Sequence, residues 1–577
     1  MAASLINWVE WTDEAFQKAK NENKPILLDI SAVWCHWCHR LDQDTYSVPE
    51  IAQYIESHFV PIRVDTDKRP DINRRYNMGG WPTTAFLTPD GRVMGGGTYF
   101  PPDRMRQVLR DIDAVWQKTK SGQYPEVLLP EPESIPIGKI SASIVDEVLG
   151  EIANNFDPLY GGFGSQPKFP STDALELVLL KYHYTGNHEI LKIATLTLQN
   201  AGKGGIYDRE MGGFFRYSTA RDWSVPHYEK MSEDNAKWLS LYVHAYQVTG
   251  EHFYANIVQG IVEYVRTWLS DATDGGFYGS QDADEEYYKL TKTERLKTKA
   301  PYIDKHVYTN WNALMISSFL EASYVLGDMA IREFALKSLR RLMILNDAED
   351  KGMYHYNDGQ PHLINQLIDQ MQTVRTLCHA YETTGDINYL TRAERLTETT
   401  SKLYDKEHGA FFDTTTDPNA PGFLSKPAKP LDENSVAVRA LVKLFHLTEK
   451  DRYRMLAEET LNRFTEVFPQ FGYMAADYAL AIDIFLSEPT MIRIIGSLEK
   501  THTIALLTEA HKIYEPRKII QLLDPDRDSE RINKFGYTYT DQPIAYVCLG
   551  KLCTAPIAEP RNLSSELARL VRAQLKR

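Results

Sequence analysis

The residues best suited to chemistry are two cysteines separated by two residues, Cys35-His36-Trp37-Cys38. They follow an apolar run at 25–30 that predicts a buried strand, and a helix should begin near Cys35. A helix N-terminus lowers the pKa of a thiol in its first turn. The pattern therefore predicts a redox dithiol with Cys35 as nucleophile and Cys38 as resolving thiol, while a protonated His36 favours the thiolate.

Three other interpretations of this motif stay open. Residues 35–39 also match the C-x-x-C-H pattern of covalent haem attachment. Cys35, Cys38, His36 and His39 could bind a metal, although a structural zinc site needs a second Cys/His pair further along the domain. Two inert, buried cysteines would also fit. We expect the redox dithiol, with no cofactor and no metal.

A proline directly before a predicted strand at 83–87 supports the redox interpretation. Pro82 in the stretch Gly80-Trp-Pro-Thr83 is where thioredoxin folds place a cis-proline that faces the dithiol. The residues expected to support the redox chemistry are Trp34, His36, Trp37, Trp81 and Pro82.

Composition limits the class of protein. The chain has 577 residues, a net charge of −14 and 11% aromatic residues, so nucleic-acid binding is disfavoured and aromatic-lined pockets are expected. No signal peptide and no apolar run of about 18 residues is evident. We therefore expect a cytoplasmic protein without a membrane partner. Its five cysteines suit free thiols; besides the first two, Cys548 and Cys553 form a looser pair and Cys378 stands alone.

The elements that must position these residues fall into four stretches. Residues 1–120 alternate strand and helix signals, and a proline-containing linker is expected at 121–139. From 140 to 488 helical patterns alone recur, in twelve segments paired around short turns such as Thr185-Gly-Asn187. A Gly-x-aromatic element accompanies the pairs, as in Gly212-Gly-Phe214 and Gly275-Gly-Phe277. Twelve helices in six hairpins predict an (α/α)6 barrel, and residues 489–577 a small α/β appendage packed on it.

Long motifs make the whole chain similar to one family. They include Trp34–His39, Val64–Asp71, Gly79–Pro82, Thr88–Gly91, Gly97–Pro101, Pro167–Pro170, Val225–Met231, Asp282–Asp284, Trp311-Asn312 and Asn434–Val436. They resemble the thioredoxin-domain family that includes spermatogenesis-associated protein 20 and the bacterial YyaL-type proteins. The resemblance implies a thioredoxin-like domain followed by a six-hairpin barrel related to sugar epimerases and glycosidases.

Loops at one mouth of such a barrel hold the remaining candidates for chemistry. The expected catalytic residues there are His227, Glu229 and Asp234, because epimerisation needs a base beside an acid and hydrolysis needs two carboxylates. The residues expected to bind a ligand are Asp208, Arg216, Tyr217, Trp223, Tyr228, Asp282, Asp284, Trp311, Asn312 and Asn434.

Three functions fit these features. The first is a thiol–disulfide oxidoreductase with a partner protein for thiol exchange, whose barrel binds a small ligand such as a sugar. The second is an enzyme of carbohydrate metabolism, a 2-epimerase or glycoside hydrolase, with an accessory thioredoxin domain. The third is a non-catalytic interaction protein. We rank them in that order.

Overall fold

The computed structural model of the chain describes residues 5–119, 136–539 and 541–575. The expected linker at 121–139 lies mostly outside the described residues. Two compact units are present. The dithiol unit comprises the described part of Met1–Ile135 together with Ser280–Asp304 and Phe412–Ala428. The barrel unit comprises Pro136–Gly279, Lys305–Phe411 and the described part of Lys429–Arg577.

The dithiol unit is built on a four-stranded sheet. Its strands are β1 (Ile26–Ser31), β2 (Val60–Asp65), β3 (Thr83–Leu87) and β4 (Val93–Gly97). Its main helices are α1 (Asp13–Glu22), α2 (His36–Leu41), α3 (Pro49–His58), α4 (Pro70–Tyr76) and α5 (Pro102–Thr119). The strand order is β2-β1-β3-β4, with β1 and β2 parallel and the other pairs antiparallel. This is the thioredoxin topology expected from the sequence.

The sheet is central because its strands are apolar on both faces. Every residue of β3 and all but the last residue of β1 are buried. One core forms on one side of the sheet around Ile26, Leu28 and Ile30, and another forms on the other side around Leu27 and Phe86. Burial on both faces fixes the strand ends, and therefore the loop that carries the dithiol.

The two later stretches of the dithiol unit were expected in the barrel range 140–488. Ser280–Asp304 contains the short helices Glu285–Tyr288 and Lys292–Arg295 and the strands Ser280–Gln281 and Ile303–Asp304. Phe412–Ala428 is held by Arg75 on α4, which donates to both carboxylate oxygens of Asp413 at 2.8 and 3.1 Å. Tyr76 Oη accepts a 2.7 Å hydrogen bond from the Phe423 N–H. Such long-range contacts leave no local pattern in the sequence.

Within the described part of the barrel unit, twelve successive helices form the expected (α/α)6 barrel. In chain order, α6 to α17 are Ala142–Asn155, Thr172–Thr185, His188–Lys203, Ser232–Thr249, His252–Trp268, Thr309–Leu326, Met329–Asn346, Leu367–Thr384, Ile387–Thr400, Leu431–Thr448, Asp451–Arg463 and Ala476–Leu486. The odd-numbered helices α7 to α17 pack side by side in a closed inner ring. Each even-numbered helix packs outside it.

Local sequence signals form the hairpins of this barrel. The inner helices α7, α9, α11 and α13 each end at a glycine in the left-handed conformation, which only glycine adopts without a side-chain penalty. Asn187, Asp328 and Asp386 then cap the next outer helix. The connecting loops add the short strands Tyr217–Ser218, Pro226–His227, Lys230–Met231, Val307–Tyr308, Tyr354–Asn357 and Pro361–Ile364.

The C-terminal part of the barrel unit is a smaller α/β layer. It contains β5 (Thr490–Ile495), α18 (Thr501–Lys512), β6 (Lys518–Leu523), α19 (Ser529–Lys534), β7 (Ile544–Leu549), β8 (Leu552–Cys553) and α20 (Asn562–Leu575). The strand order is β6-β5-β7-β8, with β5 and β6 parallel and the other pairs antiparallel. The thioredoxin topology of the dithiol unit is therefore repeated here. Glu382 of α13 accepts the Ile520 N–H at 3.1 Å, which joins this layer to the barrel helices.

In the described ranges, no helix combines the length and the apolar character that crossing a membrane requires.

Candidate functional site

Cys35 and Cys38 lie where β1 leads into α2 and are joined as a disulfide, with their Cα atoms 5.2 Å apart. Cys35 is the N-cap residue of α2, and both side chains are buried. Its sulfur accepts a hydrogen bond from the Cys38 N–H at 3.1 Å. An N–H donor at a helix N-terminus stabilises a thiolate, so this geometry favours an ionised Cys35 once the disulfide is reduced.

The loop before β3 lies against the loop that carries the dithiol. The Trp81–Pro82 peptide bond is cis, as the sequence predicted. Trp81 meets Trp34 edge to face, with ring centroids 5.9 Å apart. Trp34 Nε1 donates to Asp67 at 2.6 Å, and Trp81 Nε1 donates to Asn73 at 3.2 Å. These hydrogen bonds fix both indole rings beside the disulfide.

Two side chains between the cysteines face outward. Trp37 is 46% exposed, an unusual state for so large an apolar ring, and its ring lies 5.2 Å from that of Tyr99. His36 is exposed and contacts Trp37 edge to face at 5.9 Å. Trp37 therefore presents an exposed aromatic ring within the Cys35–Cys38 motif.

A histidine after the dithiol is tied to the Ser280–Asp304 segment. His39 Nε2 lies 3.0 Å from Asp282 Oδ1. The hydrogen bond with Asp282 raises the pKa of His39. Asp284 caps the short helix after it by accepting the Tyr287 N–H at 2.9 Å. Both aspartates, expected among the ligand-binding residues of the barrel, are thus placed in the dithiol unit.

A charged cluster on β1 was missed from the sequence. Asp29 is buried and accepts a 2.6 Å hydrogen bond from Arg63, which also binds Asp42. Burial raises the pKa of Asp29, although Arg63 opposes the shift. A buried carboxyl on the strand that leads to a dithiol can hold or accept a proton. The only signal was one acidic residue inside the apolar run at 25–30.

The metal interpretation of the dithiol finds no ligand cluster. Among the described residues, no group of three or more His, Cys, Asp or Glu side chains is placed to hold a metal ion.

The expectation of free thiols was wrong for Cys548 and Cys553, which form a second disulfide because they lie directly opposite each other on β7 and β8. Cys378 is free and buried.

In the barrel unit, His227 and Glu229 form one hydrogen-bonded pair. His227 Nδ1 contacts the Glu229 carboxylate, which is buried. The imidazole stacks on Tyr217 with centroids 4.8 Å apart, and Tyr217 stacks on the exposed ring of Phe169 at 4.6 Å. A carboxylate on one ring nitrogen orients a histidine so that the other can exchange a proton.

A second cluster lies at the start of α9. Burial, with Glu233 beside it, raises the pKa of Asp234 to about 6. Lys237 pairs with Glu233 at 2.7 Å, and the Trp311 side chain also hydrogen-bonds Glu233. The negative charge of this cluster is further balanced by Arg216. Arg216, Asp234 and Trp311 from the sequence-based set are thereby brought together.

Four other residues expected to bind a ligand are buried in the repeat. Asn312 both accepts from and donates to the Phe277 backbone, at 2.7 and 2.9 Å, and Asn434 binds Phe411 in the same way. Asp208 pairs with Lys230 at 2.7 Å, and Trp223 is fully buried. These four side chains therefore serve the fold and do not face a ligand. Tyr228 lies 5.1 Å edge to face from Phe215 and stays a candidate.

The inner helices of the barrel carry charged pairs that the sequence analysis missed. His244 on α9 binds Glu176 on α7 at 2.8 Å. Lys443 on α15 binds Glu382 on α13 at 2.6 Å. Burial, with Asp477 nearby, raises the pKa of Asp173 to about 6. The available signal was charges spaced three or four residues apart on helices that are otherwise apolar.

Comparison with known proteins finds a family model that matches the N-terminal residues and a relative that matches nearly the whole chain. Residues 1–126 match the sequence model of the family Thioredox_DsbH, described as "Protein of unknown function, DUF255". Human spermatogenesis-associated protein 20 is 26% identical over 97% of this chain and 90% of its own length. Disulfide bond reductase DsbH of Chlamydia pneumoniae is 23% identical over 17% of this chain and 71% of its own length.

A solved structure is similar to part of this chain. Cellobiose 2-epimerase from Spirochaeta thermophila DSM 6192 matches 63% of this chain and 100% of its own, with 15% identity and a TM-score of 0.49. Together with the sequence relatives, the topology confirms the expected family resemblance: the chain is similar to spermatogenesis-associated protein 20 along 97% of its length and carries a thioredoxin-like domain at its N-terminal end.

Proposed function

We propose that the protein is a thiol–disulfide oxidoreductase that uses Cys35 and Cys38. The observation that carries the proposal is the position of Cys35 at the N-cap of α2, where its sulfur accepts the Cys38 N–H at 3.1 Å. The same hydrogen bond favours the thiolate that must attack a substrate disulfide. The proposal keeps the cytoplasmic location expected from the sequence.

The exchange proceeds in two displacements. The Cys35 thiolate attacks one sulfur of a partner protein's disulfide, so a mixed disulfide forms and the partner's other sulfur leaves as a thiolate. Cys38, after losing its proton, attacks the Cys35 sulfur and releases the partner's second thiolate. The partner disulfide is reduced and Cys35–Cys38 is oxidised. An external dithiol then returns the pair to the reduced state.

The surroundings of the disulfide suit a protein partner. The exposed ring of Trp37 lies beside the partly buried ring of Tyr99, and aromatic side chains are enriched where proteins dock. Trp34 and Trp81 are held by hydrogen bonds to Asp67 and Asn73, so these two indole rings need little ordering when a partner binds.

The test measures thiolate character at Cys35. The reduced full-length chain is alkylated with iodoacetamide across a pH series, and modification of each cysteine is followed by mass spectrometry. We expect an apparent pKa for Cys35 at least one unit below the ordinary thiol value of about 8.5. The matched control is Cys378→Ser, which removes a buried thiol and should change nothing. A value of 8.5 or higher contradicts the proposal.

A trapping experiment examines the order of attack. Cys38→Ser should accumulate a mixed disulfide between Cys35 and a reducible protein such as insulin, because the resolving thiol is absent. Cys35→Ser should give at least tenfold less trapped product. Equal trapping by the two variants would contradict the assignment of Cys35 as nucleophile.

A second candidate function rests on the paired His227 and Glu229. With Asp234, whose pKa of about 6 allows proton transfer near neutral pH, they supply a base and an acid for epimerising or hydrolysing a carbohydrate. The test is binding and turnover of mono- and disaccharides by the wild-type chain, His227→Ala and the exposed control His252→Ala. We expect binding that falls at least tenfold only in His227→Ala. No binding and no turnover by the wild-type chain would remove this candidate.

A further inference from the structure

The second disulfide lies in the C-terminal layer, on the hairpin of β7 and β8. Cys548 and Cys553 occupy directly opposite positions, and their Cα atoms are 4.0 Å apart. In the neighbouring pair, the Thr554 N–H donates to the Val547 carbonyl at 2.9 Å. The cysteines therefore occupy a non-hydrogen-bonded site of the antiparallel ladder, where side chains approach most closely.

This layer has the thioredoxin topology but no cysteine between β5 and α18. Pro543 stands directly before β7, as Pro82 stands before β3. A Cβ atom added at Gly496, at the end of β5, would lie 2.9 Å from Pro543 Cβ. As in the dithiol unit, the loop after the first strand (β5) therefore lies close to the proline before the third strand (β7). Its only cysteine pair is on the hairpin.

The two sulfur atoms of the hairpin disulfide differ in access. The Cys553 side chain is exposed, whereas Cys548 is 2% exposed. A thiolate from solution therefore reaches the exposed Cys553 more readily than Cys548, which is buried in the layer. The bond would then open in one direction, with Cys548 as the leaving group.

A donor is in place for the leaving sulfur. Arg493 Nη1 donates to Tyr537 Oη at 2.9 Å, and Tyr537 Oη lies 3.5 Å from Cys548 Sγ. Because a disulfide sulfur carries no hydrogen, the Tyr537 hydroxyl is the donor in this contact. The guanidinium is further held over the Phe535 ring at 4.1 Å. Cationic and hydrogen-bonding neighbours lower the pKa of a thiol and make it a better leaving group.

We propose that Cys548–Cys553 is a second redox-active disulfide, opened by attack of a vicinal dithiol on the Cys553 sulfur with Cys548 leaving toward Tyr537.

The reaction balances as an ordinary thiol exchange. One thiolate of the incoming dithiol bonds to the Cys553 sulfur, and the electron pair of the broken S–S bond passes to Cys548, which then takes a proton from solvent. The second thiol of the reductant loses its proton, attacks the mixed disulfide and releases the Cys553 thiolate, which takes up a proton from solvent. Cys548 and Cys553 end as thiols, and the reductant ends as a disulfide.

The first experiment tests the donor. The full-length protein carries Cys35→Ser and Cys38→Ser, so that the hairpin disulfide is studied alone. The rate at which dithiothreitol opens this disulfide is measured by alkylating the released thiols and detecting them by mass spectrometry. We expect Tyr537→Phe to slow the opening about fivefold to tenfold, the effect of one lost hydrogen bond on the leaving thiolate. The matched control is Tyr539→Phe, which removes a neighbouring phenol from the same core cluster and should leave the rate unchanged.

The second experiment tests the direction of attack and does not depend on Tyr537. Cys548→Ser and Cys553→Ser, both in the same background, are incubated with oxidised glutathione under native conditions. We expect the exposed Cys553 of the first variant to form the mixed disulfide about tenfold faster than the buried Cys548 of the second.

Specific results would overturn the proposal. A hairpin disulfide that resists dithiothreitol in the native chain and opens only in denaturant would be purely structural. Two free thiols in mildly oxidising buffer would show that the bond does not form, and equal rates for the two glutathione reactions would contradict the direction of attack. None of these results depends on Cys35 or Cys38, so the function proposed for that pair is tested separately.

Discussion

His39 Nε2 lies 3.0 Å from Asp282 Oδ1, so the residue that follows the dithiol is held by a carboxylate 243 positions along the chain. Because the bond raises the pKa of His39, it stabilises the folded chain fully below the ordinary histidine pKa of about 6.5. The contribution is lost as the pH rises through the higher pKa of the folded state.

Asp282→Asn should therefore destabilise the dithiol unit in a pH-dependent way. We expect the free energy of unfolding to fall by about 1 kcal/mol at pH 5.5 and by clearly less at pH 9, since the pair is partly exposed. Urea unfolding followed by tryptophan fluorescence measures both values. Asp284→Asn, which keeps a capping oxygen at the next helix, is the control. Equal losses at both pH values would show that the imidazolium contributes nothing.

Substitution of Asp234 should increase the free energy of unfolding, whereas substitution of Asp282 should decrease it. Because folding raises the pKa of Asp234 to about 6, the folded chain loses stability as the pH rises from about 4 through 6. Asp234→Asn removes that cost, so the free energy of unfolding should rise by about 1–2 kcal/mol at pH 7 and stay unchanged at pH 3.5. Partial exposure of the carboxyl keeps the gain modest. Exposed Asp541→Asn serves as control, and a loss of stability at pH 7 would contradict the reasoning.

Asn312→Ala should weaken the barrel. The buried amide makes three hydrogen bonds, to the N–H and carbonyl of Phe277 and to the carbonyl of Tyr308. Removing it leaves buried backbone groups unpaired, which costs about 2–3 kcal/mol. A lower midpoint of urea unfolding measured by circular dichroism would confirm the loss. Exposed Asn533→Ala should keep the wild-type midpoint, and no difference between the two variants would refute the structural role.

Cys378 should be inert in the native chain. Burial raises the pKa of its thiol to about 12, so almost no thiolate forms below pH 9. After reduction, native alkylation at pH 8 should modify Cys378 at least a hundredfold more slowly than Cys35, and denaturant should remove the difference. Mass spectrometry of tryptic peptides reports both sites. Rapid native labelling of Cys378 would show that the barrel interior opens to solvent.

Local patterns predicted most of the secondary structure. The strand at 83–87 has the predicted limits, because an apolar run ends at a proline on one side and at a turn on the other. Gly186 and Gly250 end inner helices as predicted, since a left-handed cap is a local property of glycine. By contrast, β4 (Val93–Gly97) was missed because three of its five residues are glycines.

The candidate site was harder to predict because conspicuous residues serve the fold. Asn312 and Asn434 stand out in the sequence, yet both clamp the Gly-x-aromatic turns from inside. Asp282 was predicted in the barrel and lies beside His39. No spacing rule could show either fact, since both depend on contacts between residues far apart in the chain. The proposed catalytic role of His227 stays a prediction.

The assembly of the dithiol unit from three separate stretches has a consequence for synthesis of the chain. Arg75 leaves the ribosome 338 residues before Asp413, its bidentate partner. At about 5–20 residues per second, the N-terminal stretch waits roughly 15–70 seconds for the segment that completes it. Throughout that interval the nascent chain exposes Tyr76 and the apolar core side chains that Phe423 and Leu424 later cover. The dithiol would therefore reach its finished surroundings only after most of the barrel has been made.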